Sequence, residues 1–246
     1  MMWSNAPRIP ARDFEREPVP EGGDLRVFDV EAALRINRAR MAGIESIGLD
    51  LQRKSVLDVG CGTGHFFPFY TSRGCDVTGV DGRPDNVDEC RRRHPDVRCV
   101  VADVQSFDLA TLGRFDLIHC LGLLYHLENP IAALRNVRGA CNGLLILESI
   151  VMDAARPVMV IDDEPKTVNQ ALAGIGSRPS PAFVAMALNR VGFPHVYGLR
   201  EPPDHEDFRF ELLDDGAWQR DGHPLRWMFV AALTPLSLST LFPLVV

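Results

Sequence analysis

The segment Ser55-Val56-Leu57-Asp58-Val59-Gly60-Cys61-Gly62-Thr63-Gly64-His65-Phe66 constrains this chain more than any other. An apolar run of strand type breaks into glycines at alternate positions. Bulky residues then resume at Phe66, Phe67, Phe69 and Tyr70, which read as the buried face of a helix. Strand, glycine turn and helix in that order make a cradle of the nucleotide-binding kind. The chain can turn tightly there, and a ligand can approach backbone that a Cβ would obstruct.

The spacing narrows the ligand. A dinucleotide fingerprint is G-x-G-x-x-G, its third glycine packing helix against strand beside the pyrophosphate. Here the pattern is G-x-G-x-G, and His65 takes the place of that third glycine. Asp58, two residues before the first glycine, offers an acceptor to a ligand ammonium and would repel a pyrophosphate. A nicotinamide oxidoreductase therefore fails at this loop. The pattern Asp58-x-Gly60-x-Gly62-x-Gly64 resembles the first motif of the class I S-adenosylmethionine-dependent methyltransferases.

The downstream sequence keeps the order this resemblance requires. Cys75 to Asp81 reads as a second strand ending in a carboxylate roughly twenty residues from the loop, the distance at which nucleotide folds place a ribose-binding acid. Gly82-Arg83-Pro84-Asp85-Asn86 departs from the family's commoner polar-serine pattern but suits a turn into a helix running to Arg93. Val97 to Val104 is the third strand and its exit. Phe115 to Leu121 is the fourth, and the segment Gly122-Leu123-Leu124-Tyr125-His126-Leu127-Glu128-Asn129-Pro130 matches the family's exit from that strand. The resemblance implies cofactor contacts from Asp58, Gly60, Cys61, Gly62 and Gly64, from Asp81 and Gly82, from Asp103 and Val104, and from Leu121 and Tyr125. It places Asp103 at the adenine amino group.

The remaining chain follows an α/β rhythm with one interruption. Residues 1–28 form an N-terminal arm, either a mobile end or a flap over the ligand site. From Asp29 the pattern is helical, with Leu34, Ile36, Met41, Ile44 and Ile47 largely on one face, Arg35, Arg38 and Arg40 mainly outside, and Gly48 as a stop. Pro130 to Ala140 suits a helix with proline in its first turn, and Gly143 to Glu148 a fifth strand. Residues 152–179 then break the alternation as an insertion expected to cover the acceptor pocket. Ser180-Pro181 opens a last helix, and His195–Leu199 with Leu225–Leu233 close the sheet as an antiparallel edge hairpin. The expected architecture is a three-layer, Rossmann-like, seven-stranded, mostly parallel sheet over residues 29–234, followed by an apolar tail at 235–246.

Composition sets outer limits. A net charge of −7 argues against a surface built to neutralise phosphates, so a nucleic-acid partner is not expected. Six scattered cysteines without a C-x-x-C pair indicate a reducing, cytoplasmic setting and no zinc site. Asp162-Asp163-Glu164 reads as a solvated acidic run rather than a metal site. No apolar run is long enough to span a bilayer.

The chemistry implied is in-line transfer of a methyl from a sulfonium to a small-molecule acceptor, with S-adenosylmethionine as cofactor. Proximity and a dry pocket supply most of what the protein must add. For a hydroxyl acceptor a base must also take a proton, and His126 is the sequence's candidate, with a loop-anchoring role as its alternative. Tyr125 could orient substrate or pack under the cofactor. Glu148 could face the pocket or end its strand in solvent, and His119 reads as a buried, hydrogen-bonded histidine. Two alternatives stay open at this level: a modifier of the transfer-RNA wobble uridine, which the Gly122–His126 segment also resembles, and a cofactor-binding protein without catalysis. The sequence does not give the oligomeric state.

Overall fold

The computed structural model describes residues 25–164 and 171–244. Helix α1 spans Glu31–Ile47 and ends at Gly48, whose φ of 82° is the left-handed cap that a glycine adopts without strain. Strand β1 (Ser55–Val59), the short helix α2 (Phe67–Thr71), β2 (Asp76–Asp81), α3 (Pro84–Arg93), β3 (Arg98–Val101), β4 (Phe115–Leu121), α4 (Pro130–Ala140) and β5 (Cys141–Ile150) follow in turn. The insertion is a hairpin of β6 (Met159–Asp163) and β7 (Ile175–Pro179). Then come α5 (Pro181–Arg190), β8 (His195–Leu199), the short pair β9 (Gln219–Arg220) and β10 (His223–Pro224), β11 (Arg226–Ala232) and β12 (Leu241–Pro243).

The main sheet has the order β12-β8-β11-β5-β4-β1-β2-β3. Strands β1 to β5 are parallel, while β11 runs antiparallel to both β5 and β8. The two closing strands expected as an edge hairpin do pair, with β11 on the inner side. The sheet also has eight strands rather than seven. Leu241–Pro243, part of the stretch read as an apolar tail, pairs with β8 and covers its edge, and Leu241 is buried there.

Alternation along the strands divides the core. Leu57, Val59, Ile118, Leu145 and Leu147 face α4 and α5. Val56, Leu117 and Ile146 face the layer of α1, α2 and α3, where Phe67 and Ile44 are fully buried. A side chain of that size contributes about 1.5–3 kcal/mol by leaving water. The same alternation sends Asp58, His119 and Glu148 toward the α1 layer, and all three are buried, at 2%, 0% and 0% exposure. His119 lies across from Asp58 in the β1–β4 register, and its Nδ1 meets the Tyr70 hydroxyl at 2.7 Å.

The chain order reverses between β1 and β4: from β1 the sheet grows through β2 to β3 on one side, and from β4 through β5 on the other. The crevice beyond the carboxyl ends of these strands is where open α/β sheets take ligands. No helix among the described residues is long and apolar enough to cross a membrane.

Candidate active site

Two cavities open at that crevice and share Phe28, Gly60 and Gly122. The first is lined by Val59, Asp81, Gly82, Asp103, Val104 and His126 among others. Gly60, at the head of the glycine loop, lines it, and the loop has φ of 77°, 53° and 83° at Gly60, Gly62 and Gly64, a region that side-chain-bearing residues rarely occupy. A Cβ on Gly62 would meet the Phe28 ring at 2.9 Å, and one on Gly60 would meet Leu123 at 3.0 Å. The backbone of the loop is pinned to β2, since Gly60 N–H and Cys61 N–H both donate to the Val80 carbonyl.

Asp81 stands at the end of β2, as expected. Its Oδ2 accepts Gly62 N–H at 3.0 Å, and its Oδ1 accepts Arg83 N–H and the Asn86 amide. Burial nevertheless pushes its pKa up, against these donors. A carboxylate has about four acceptor sites, so three donors leave capacity for a hydroxyl. Asp103 caps its own turn through Gln105 N–H at 2.9 Å.

Asp58 differs from the other acids. It lines neither cavity, and its Oδ2 is buried with no hydrogen-bond partner among the described residues. Burial, with the negative Asp81 nearby, pushes its pKa up to about 8. An orphaned carboxylate beneath a ligand loop is the group a ligand ammonium would satisfy, so the residues present fit a cofactor of that chemistry.

His126 lies on the wall of the first cavity, in a short 3-10 turn Leu124–His126. Its Nδ1 is 2.5 Å from Glu164 Oε2, and Arg178 donates to the same carboxylate at Oε1. Burial drives the His126 pKa down, against the pull of Glu164. The 162–164 run is therefore not simply solvated: Asp162 and Glu164 both pair with Arg178, and Glu164 is mostly buried. The insertion also carries Leu172 onto the Gly82 edge of this cavity, where a Cβ on Gly82 would approach it at 2.4 Å. Residues 165–170 of the expected cover lie outside the described residues, as does the N-terminal arm before Leu25.

The second cavity, of about 450 Å³, lies between the glycine loop, α1 and the segment 205–226. Cys61, Gly62, Leu121 and Tyr125 border it from the sheet side. Its wall is a chain of ion pairs that local sequence did not announce. Arg40, expected on the outer face of α1, is buried and donates to Glu148, while Arg226 Nη1 donates to the other Glu148 oxygen at 3.0 Å. Glu148 is thus neither a solvated strand end nor a pocket wall. Burial alone would raise its pKa, and the two guanidiniums overcome this and hold it below the usual range. Arg226 Nε continues to Asp207 Oδ2 at 3.0 Å, and Asp207 Oδ1 meets His223 Nδ1 at 3.2 Å. The guanidiniums of Arg178 and Arg226 lie 5.8 and 5.3 Å from the Tyr125 ring, which holds that ring as packing.

Comparison with known proteins bears on this geometry. A family model described as a methyltransferase domain matches residues 29–196. Among curated relatives, tRNA U34 carboxymethyltransferases of Pseudomonas putida and Alcanivorax borkumensis are 30% and 27% identical over 68% and 71% of this chain. The chain spans only 56% and 59% of those relatives' length. Among solved structures, the N-terminal domain of EvdMO1 in the presence of SAH and D-fucose superposes with a TM-score of 0.61 at 22% identity, covering 80% of this chain and 81% of that one. An S-adenosylmethionine-dependent methyltransferase from Mesorhizobium loti gives 0.57 at 22% identity over 79% and 97%. These likenesses agree with the fold derived above.

Proposed function

Since this chain belongs to the S-adenosylmethionine-dependent methyltransferases, we propose that it moves a methyl group from S-adenosylmethionine to a hydroxyl of a small acceptor seated in the second cavity. The observation that carries this reading is that cavity itself. It adjoins the glycine loop and is lined by imidazole, carboxylate and guanidinium groups. The adenosine moiety takes the first cavity, with Asp81 on the ribose, Asp103 on the adenine edge and Asp58 satisfied by the amino-acid ammonium.

When bound, the cofactor supplies an activated methyl on a sulfonium. The chain's own part is to orient the acceptor, exclude water and receive a proton. Of the two roles open to His126, its bond to Glu164 supports the anchor, because Nδ1 is committed to the insertion that closes this side.

The relatives' name supports a second reading, transfer to the wobble uridine of tRNA. Against it, arginines of the second cavity and of the groove that shares Arg35, His205 and His223 with it are already paired: Arg35 with Glu206, Arg209 with Asp204, Arg220 with Asp153 and Asp215. A phosphate backbone is bound by cations free to meet it. Labelled methyl transfer from the cofactor into a small-molecule extract, run beside bulk tRNA, separates the two readings. Calorimetry tests the cofactor: S-adenosylmethionine should bind and NAD should not. Asp81→Ala should weaken binding by about 1.5–3 kcal/mol, the scale of hydrogen bonds to a charged group. An unchanged dissociation constant in the folded variant would remove Asp81 from the ribose.

A further inference from the structure

Three histidines border the second cavity, and their hydrogen bonds distinguish them. His65 is engaged at both nitrogens, Nδ1 with Thr63 Oγ1 at 3.1 Å and Nε2 with Asp29 Oδ1 at 3.0 Å. His205 accepts Asp207 N–H at Nδ1, 3.2 Å away, which places the proton of its neutral ring on Nε2. His205 Nδ1 also lies 3.5 Å from Asp207 Oδ1, but because it accepts the Asp207 N–H it has no proton to give that acid, whereas His223 Nδ1 is free to donate to it. The His223 Nδ1 lies 3.2 Å from Asp207 Oδ1, and its Nε2 makes no hydrogen bond among the described residues. The ring is 45% exposed.

Resting on the hydroxyl-acceptor reading above, we propose that His223, oriented by Asp207, is the general base of the transfer, and that His205 is a positioning residue for that pair. Asp207 suits the first role because its carboxylate is fixed on both sides. Arg226 Nε holds Oδ2, and the mostly buried His205 fixes the backbone of the 3-10 turn Glu206–Phe208 from which Asp207 projects. Arg226 is in turn tied to Glu148 on β5, so the dyad is referenced to the sheet whose strand ends form the cofactor crevice. An acid on Nδ1–H selects the tautomer whose Nε2 lone pair can accept a proton, an arrangement that serves a base in any fold. The buried Nε2–H of His205 has no partner among the described residues, and a donor left open on a cavity wall marks a place for an acceptor atom of the ligand.

The step balances without a co-reactant. The acceptor O–H gives its proton to His223 Nε2, the oxygen lone pair forms the O–CH₃ bond, and the C–S bond breaks with its electron pair left on sulfur. The positive charge passes from the sulfonium to the imidazolium. His223 then returns the proton to water, which its exposure allows. The charged groups facing it from neighbouring elements are Glu206 and Asp207 on the 3-10 turn, Arg35 on α1, Arg220 opposite it on β9 and Arg226 on β11.

Imidazole nitrogen NMR on the full chain tests the geometry. Neutral His223 should carry its proton on Nδ1, and Asp207→Asn should shift the ring toward the Nε2–H form. A wild-type Nε2–H tautomer, or no response to Asp207→Asn, overturns the dyad. Turnover is read with methyl-labelled S-adenosylmethionine and either the small-molecule extract or bulk tRNA as probe. His223→Gln should cut labelling at least ~100-fold and erase the acid limb of the pH profile. Melting temperature and affinity for S-adenosylhomocysteine should stay at wild-type values. Retained labelling in His223→Gln overturns the proposal. A wild type that binds no S-adenosylhomocysteine overturns the cofactor reading instead, and the tautomer measurement still decides the dyad.

Discussion

Asp58 and Glu148 are buried carboxylates on neighbouring parts of one sheet face, 2% and 0% exposed, yet their electrostatics have opposite sign. Asp58 has an oxygen without a partner and a pKa pushed up to about 8 by burial. Glu148 lies between Arg40 and Arg226, and its pKa is lowered despite total burial. Burying a charge is costly unless it is paired, and the two acids answer that cost differently. Asp58 is left without a partner among the described residues and keeps its proton near neutrality, and the ammonium of the proposed cofactor would draw it into the charged form. At Glu148, beside the second cavity, the charge is closed by the protein itself, in a chain of pairs that runs on to Asp207 and His223.

The sharpest way to break this comparison is to vary pH. Asp58 has a folded pKa of about 8 against an ordinary 3.8, so between these values the native state holds a proton that the unfolded chain has lost. The stability associated with that proton is present below about pH 4 and is lost as the pH rises toward 8. The slope is at most about 1.4 kcal/mol per pH unit. Denaturation of the ligand-free protein should show it, and Asp58→Asn should flatten the curve while weakening S-adenosylmethionine. A variant whose stability tracks the wild type at every pH would mean that Asp58 is already satisfied.

Glu148 should respond in the opposite sense. Glu148→Ala leaves the buried Arg40 without its acid and the mostly buried Arg226 with Asp207 alone, and breaking a buried pair typically costs about 3–5 kcal/mol. Urea denaturation should register that loss across the neutral range. Should Glu148→Ala unfold at the wild-type midpoint, the clamp contributes nothing and Arg226 needs another explanation.

The same contrast explains what the sequence could disclose. The first cavity and its glycine loop depend on local rules: glycines at alternate positions, acids at strand ends, and apolar runs of strand length. Asp81, Asp103 and the turn at Gly60–Gly64 were therefore legible, and so was the order of β1 to β5. The wall of the second cavity depends on pairs distant in sequence. Arg40 and Glu148 are 108 residues apart, and Glu148 and Arg226 are 78 apart. An arginine on the outer side of an amphipathic pattern gives no sign that it will be drawn inward by a buried acid. Residues 204–224 carry neither periodicity nor motif, so Asp207 and His223 emerge only once the fold brings them to the cavity. The eighth strand was hidden for a similar reason, because three residues are too few to show alternation.

The smallest expected effect concerns His126, on the wall of the first cavity. Its Nδ1 is bound to Glu164, and Glu164 is bound to Arg178, which also donates to the Tyr125 carbonyl at 3.1 Å. His126 therefore ties the exit of β4 to the insertion. His126→Asn keeps an amide that can donate to Glu164 but cannot accept a proton at neutral pH. Losing part of one buried bond should cost about 1 kcal/mol, which lowers the melting temperature of a chain this size by about 2–4 °C. The pH dependence has a definite sign. Burial depresses the folded pKa of His126 below 6.5, so its contribution to stability is present above that value and is lost as the pH falls through the folded pKa. The variant should lack this acid-side loss, while turnover of the folded protein stays within about threefold of wild type and keeps its acid limb. A variant that melts with the wild type but turns over ~100-fold more slowly, without that limb, would make His126 the base and return His223 to the scaffold.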